Sequence, residues 1–265
     1  LRVTAQPAFV LHRRAYRETS LLLEVLTRAH GRLGLIAKGA RRPRNPLASE
    51  LKPFQPLLIG WSGRGELPVL TGAEPDGEPL DLVGEALYCG FYLNELLVRL
   101  LHRHDPHEQL FDDYRHTLVR LAAVGAALWQ LPAEQNSAYE QALRIFEKRL
   151  LAAIGYGLVL DRDVASGSPI EPESVYDYYP ERGPILAAAA AADLAGSTPG
   201  VRVRGATLIA LAREALDREA LAEAKRLLRA VLARHLGPRP LRSRELYGQW
   251  LAARLRRADA PLRKN

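Results

Sequence analysis

The stretch TSLLLEVLTRAHGRLGLIAKG (residues 19–39) reads as two short apolar strands on either side of a polar turn at His30-Gly31. Working outward, AFVLHRR precedes it across the polar linker RRAYRE. FQPLLIGWSG and GELPVLTGA follow it, separated by the turn Gly63-Arg64-Gly65. Five short strands in about 70 residues, with a basic loop between the third and the fourth, make the strand budget of a small Greek-key barrel such as an OB-fold. An SH3-like barrel has the same strand count, and number alone does not separate the two.

From Pro79 the apolar period changes from two to about 3.6. LDLVGEALYCGFYLNELLVRLLHRH is apolar almost all round, as expected of a helix buried by other helices. Asp105-Pro106-His107-Glu108 predicts a helix start with Asp105 as N-cap and Glu108 closing a capping box. A third helix is predicted over 138–154, ending at Gly155. More helices are predicted at 207–211, 218–235 and 242–257, the last two joined by Gly237-Pro238-Arg239-Pro240. Between them lies a Pro/Gly/Ser-rich interruption whose Tyr cluster has the composition of a short hairpin. The expected fold class is α+β, β then α: an N-terminal five-stranded OB-fold barrel over 1–78, then a C-terminal helical domain over 79–265 with an irregular insertion at about 161–205.

Composition narrows the function classes. About half of the 265 residues are apolar and a quarter charged, the profile of a soluble globular chain. A single cysteine, Cys89, excludes an internal disulfide and any multi-cysteine zinc site. No run approaches the roughly 18 apolar residues of a membrane span, and residues 1–14 lack the apolar block of a signal peptide. A cytoplasmic, nucleoid-associated protein is expected. The chain contains no methionine, position 1 included, as expected of a processed start.

The net charge of +7 is unevenly spread. Residues 1–65 carry twelve Lys/Arg against three acids and residues 225–265 twelve against two, so the intervening chain is acidic. Segregated basic blocks attract polyanions. The densest is the loop AKGARRPRNP, in which Lys38, Arg41, Arg42 and Arg44 are each able to neutralise a phosphate. Arg13, Arg14 and Arg17 beside Tyr16 form a second basic segment, and Arg32 and Arg64 stand at other strand ends. Cationic grooves with an occasional stacking ring are how OB-folds hold single strands without reading sequence. Phe9, Phe54 and Trp61 lie in apolar alternation that points them to the core, so electrostatics is expected to dominate over stacking.

Other constellations carry little. His102, His104 and His107 straddle a helix end and a new start, so their rings fan apart rather than converge on a metal. Gly155-Tyr156-Gly157 lacks the lysine and hydroxyl of a phosphate-binding loop and reads as a helix cap. No nucleophile elbow, no paired helical histidines beside a glutamate and no redox cysteines occur, so no enzyme is expected.

The stretches AFVLHRRAYRETSLLLEVLTRAHGRLGLIAKGARRPR, LKPFQPLLIGWSGRGELPVLTGAE, LYCGFYLNELLVRLL, LRIFEKRLLAAIGYG and PLRSREL, in that order, resemble the bacterial recombination mediator family RecO. The resemblance covers most of the chain and implies an OB-fold followed by a helical domain. It implies a non-enzymatic protein without cofactor that binds single- and double-stranded DNA and anneals complementary strands. It also implies help in loading the recombinase RecA onto single strands coated by the single-stranded DNA-binding protein SSB, with RecR and the acidic SSB tail as partners. By the same resemblance Arg144, in LRIFE, corresponds to a basic position associated with the tail. Many relatives carry a four-cysteine zinc module where residues 160–185 stand; this chain has no cysteine there, and no zinc is expected. The rival readings are an assembly adaptor whose basic ends bind acidic protein tails, and an RNA-binding OB protein.

Overall fold

A computed structural model describes residues 2–65, 67–127, 136–188 and 200–258. The first strand, β1 (Arg2–Tyr16), is long enough to belong to two neighbours. Its first half pairs antiparallel with β4 (Leu57–Ser62), from Arg2↔Ser62 to Ala8↔Leu57, and its second half with β2 (Ser20–Thr27), from Ala8↔Thr27 to Tyr16↔Ser20. Register shifts at Val3/Gln6 and Val10/His12 let the strand turn this corner. With β3 (Gly31–Ala37) and β5 (Val69–Pro75), the strands close in the order β1-β2-β3-β5-β4, with β3 and β5 parallel at Ile36↔Val69. That order, with the short helix α1 (Leu47–Glu50) between β3 and β4, is the connectivity of an OB-fold, which resolves the ambiguity that strand number left.

Alternation sets the interior. Leu21, Leu23 and Val25 of β2 and Leu33, Leu35 and Ala37 of β3 point inward with Leu57, Ile59 and Trp61 of β4, and all are buried. The outer face is apolar too where helices cover it. These are α2 (Glu85–Leu100) and α3 (Glu108–Ala127), while α7 (Arg242–Ala258) packs on α2. Phe9 meets Phe111 and Tyr114 at 5.5 and 5.2 Å between ring centres, and Phe54 meets Phe91 at 5.3 Å. Phe9, Phe54 and Trp61 are thus buried as expected, the first two against helices rather than inside the barrel. A buried polar relay pins three elements: the Tyr114 hydroxyl donates to Asn94 Oδ1 (2.5 Å), and Asn94 Nδ2 donates to the Leu11 carbonyl (2.9 Å). Burial pushes the Tyr114 hydroxyl far above the usual phenol range, so it stays a donor.

The chain packs as two compact units, one of residues 1–126 with 238–265 and one of 127–237. Strand gives way to helix between Pro75 and Glu85, near the expected 78/79 division, yet α2 and α3 pack with the strands. The first unit recovers the C-terminal helix because the Glu95 carboxylate accepts from the free N–H groups of Arg242 (3.0 Å) and Ser243 (2.8 Å) and from the Ser243 hydroxyl. The predicted helix start at Asp105 is corrected: α3 begins at Glu108, and the Asp105 carboxylate accepts from His107 Nε2 instead. The reason is tertiary. The segment before α3 runs along β3, with His104 N donating to Arg32 O (3.0 Å). The Asp105 carbonyl abuts Gly31, where any Cβ would overlap it and φ is +67°.

The second unit contains α4 (Asn136–Ala153), α5 (Gly205–Ala212) and α6 (Arg218–Leu236), with Asp217 capping α6 through Ala220 N (2.8 Å). The expected Tyr hairpin is β6 (Val175–Tyr179) with β7 (Gly183–Leu186), and β8 (Val201–Arg204) adds a third strand in the order β7-β6-β8. Asp163 organises the turn before it: Oδ1 accepts from Ala165 N (2.7 Å) and Ser166 N (3.1 Å), Oδ2 from Leu186 N (2.9 Å). No described helix is long and apolar enough to cross a membrane.

Candidate nucleic-acid interface

The β1–β2 turn and the loop after β3 are bound to each other. Arg41 N donates to the Thr19 carbonyl (2.8 Å), and Arg41 Nη1 reaches the carbonyls of Arg17 and Glu18 at 3.5 and 3.4 Å. The loop is built rather than slack. Arg42 N and Asn45 Nδ2 both donate to Gly39 O (3.0 Å each), and Asn45 Oδ1 accepts from Leu47 N. Fully buried Ala40 pegs it into the barrel, which leaves Lys38, Arg41, Arg42 and Arg44 turned outward and exposed.

Arg14 and Arg17 are exposed beside this loop, the Arg17 guanidinium 5.3 Å from the centre of the Tyr16 ring. The β4–β5 turn that carries exposed Arg64 is attached to the same end of β3, since Ile36 N donates to Pro68 O (3.0 Å). Among the described residues none of Arg14, Arg17, Lys38, Arg41, Arg42, Arg44 and Arg64 makes an ion pair, and Glu18 is the one acid in the β1–β2 turn and the loop after β3. Such a surface raises the local concentration of polyanions. Arg17 (φ 53°) and Arg44 (φ 66°) hold left-handed backbone that glycine or asparagine occupies at less cost.

Three expected residues stand differently. Arg13 is exposed and pairs with Leu23 across β1 and β2, and its Nη1 donates to the carbonyls of Ala48 (2.7 Å) and Leu51 (3.1 Å). It secures the C-terminal end of α1. Arg32 is 14% exposed, paired with Glu24 at 2.7 Å and donating through Nε to Leu101 O, while Arg103 takes the other oxygen of Glu24. It offers no free charge to a phosphate. Arg144 is buried in α4 with its side chain 7% exposed, bound to Glu147 at 2.5 Å, so it presents no cation to the surface. Arg2 was not anticipated: its pairing with Ser62 brings it, exposed, to the base of the Arg64 turn, a neighbourhood that only strand pairing creates. Among the described residues no three His, Cys, Asp or Glu side chains group as metal ligands would.

The family descriptions "Recombination protein O N terminal" and "Recombination protein O C terminal" match residues 1–77 and 82–245. The chain is similar to the DNA repair protein RecO of Nitrosococcus oceani, 51% identical over 247 residues, which are 93% of each chain. It is 49% identical over 265 residues to that of Alkalilimnicola ehrlichii, covering 100% of this chain and 98% of the relative. To that of Thiobacillus denitrificans it is 47% identical over 246 residues, 92% and 91% of the two chains.

Proposed function

The chain belongs to the recombination protein O family, whose members are DNA repair proteins, and on that premise we propose that the basic end of its barrel grips the phosphate backbone of DNA. The observation that carries this reading is the cluster of exposed cations on three adjoining loops, without an ion pair among the described residues and held by hydrogen bonds. Each phosphate neutralised releases counterions, so binding is sequence-independent and falls steeply with salt. Neutralising two backbones lowers their mutual repulsion, and complementary bases then pair without a cofactor or a covalent step. In this reading the protein binds single- and double-stranded DNA and anneals complementary strands. The family setting leads us to add RecR, the acidic SSB tail and assistance to RecA loading on SSB-coated strands as its working context. Buried Arg144 is not used as the tail's receptor.

The test is annealing of two complementary oligonucleotides, each coated with SSB, across a salt series. The parent protein is expected to accelerate pairing, and Arg42→Glu with Arg44→Glu to reduce both the rate and oligonucleotide affinity at least tenfold at low salt. Unaltered affinity in that variant would reject the barrel end as the DNA surface.

A further inference from the structure

On the second unit, α6 carries an exposed stripe that the barrel-end reading does not use. At 100° per residue, positions 218, 222, 225, 226, 229 and 233 fall within one face of about 100°, and all six are exposed. They are Arg218, Ala222, Lys225, Arg226, Arg229 and Ala233. The opposite face, with Ala220, Ala224, Leu227 and Val231, is buried.

Nearby carboxylates are already occupied, Glu219, Glu223 and Glu214 by cations outside the stripe and Glu140 by the stripe's own Lys225. Glu219 and Glu223 bind Arg204 at 2.9 and 3.1 Å, Glu214 binds Lys148 at 2.8 Å as well as Arg149, and Glu140 binds Lys225 at 2.6 Å. Arg226 acts on Glu223 only at longer range, and Arg218, Arg226 and Arg229 make no ion pair among the described residues. Arg218 also sits in the first turn, at the positive end of the helix dipole, where a cation is disfavoured.

Resting on the reading of this protein as DNA-binding, we propose that this α6 stripe is a second nucleic-acid surface that holds the phosphate backbone of another strand. From Arg218 to Arg229 the helix rises about 16 Å, the length of several phosphates. Ala222 and Ala233 let a backbone approach closely and supply no apolar pocket, which an acidic peptide with an apolar anchor would require. A surface of this kind on each unit equips one molecule to hold two strands.

The test uses the full chain as parent, Arg226→Ala/Arg229→Ala, Arg42→Glu/Arg44→Glu, and all four substitutions together. Anisotropy of a labelled oligothymidylate is followed through a potassium chloride series. In the barrel variant a salt-sensitive residual affinity is expected. Adding the α6 substitutions should abolish it or flatten the logarithmic salt slope by about 1.4, from about 0.7 per phosphate contact on a single strand. Arg226→Ala/Arg229→Ala alone should slow annealing at least tenfold with the same melting temperature as the parent. Residual affinity and slope identical with and without the α6 substitutions would overturn the proposal. So would arginine-dependent binding of an Asp/Glu-rich peptide where oligothymidylate shows none. Full affinity in the barrel variant would instead reject the barrel-end reading, so the two failures are distinguishable.

Discussion

Arg17 and Arg44 carry a side chain where the backbone favours none. Left-handed backbone costs an L-residue roughly 1–2 kcal/mol, and glycine recovers part of it at an unfolded-state entropy cost of about 0.5–1 kcal/mol. Arg17→Gly and Arg44→Gly are therefore expected to leave stability equal or higher by up to ~1 kcal/mol while weakening oligonucleotide binding several-fold. Paired denaturant melts and anisotropy titrations read both. Loss of stability without loss of affinity would make these arginines structural. Charge type and loop position were legible for Lys38, Arg41, Arg42 and Arg44, because clustered cations in a turn have nowhere to go but outward. The fates of Arg13, Arg32 and Arg144 were not, because each depends on a carbonyl or carboxylate that folding brings alongside: α1 carbonyls for Arg13, Glu24 and Leu101 for Arg32, and Glu147 within a buried helix face for Arg144.

At the scale of elements, the β6–β7 hairpin depends on a carboxylate. Burial alone raises the Asp163 carboxyl, but hydrogen bonds from Leu186, Ala165 and Ser166 outweigh it and hold the group below the ordinary carboxylate range. A depressed folded-state pKa contributes stability that is complete above the unfolded value near 3.8 and is lost as pH falls through the folded value. Glu214, held down by Arg149 and Lys148, acts in the same direction in the same unit. Amide exchange of Ala165, Ser166 and Leu186, taken relative to the intrinsic rate at each pH, is expected to accelerate on acidification below about pH 4. Asp163→Asn, which turns a donor toward the Leu186 N–H, should accelerate it at neutral pH at a cost of about 1–3 kcal/mol. Slow Leu186 exchange in that variant would remove Asp163 from this role. The helices over 218–236 and 242–258 were readable almost to the residue from period and punctuation, whereas β8 was not: four residues, Val201–Arg204, acquire strand identity only by pairing with β6.

For the whole molecule, the barrel shares an apolar outer face with helices. Phe9 and Phe54 are buried outside its core against Phe111, Tyr114 and Phe91, so a piece ending at residue 78 would expose both, each worth about 1.5–3 kcal/mol of burial. That piece is expected to aggregate or to unfold without a cooperative transition. A sharp calorimetric transition in monomeric 1–78 would show otherwise. The sequence by itself determined the order of the five barrel strands and of the longer helices, the basic character of the loops and the absence of a disulfide, because period, turn chemistry and charge are local properties written in neighbouring residues. The tertiary structure alone decided that the barrel closes as β1-β2-β3-β5-β4, that α7 returns to the first unit through Glu95, and that Arg32 and Arg144 are ion-paired. Strand pairing and the Glu95 hydrogen bonds join residues tens to more than a hundred positions apart, and even the short-range pairs of Arg32 with Glu24 and Arg144 with Glu147 depend on which faces are buried together.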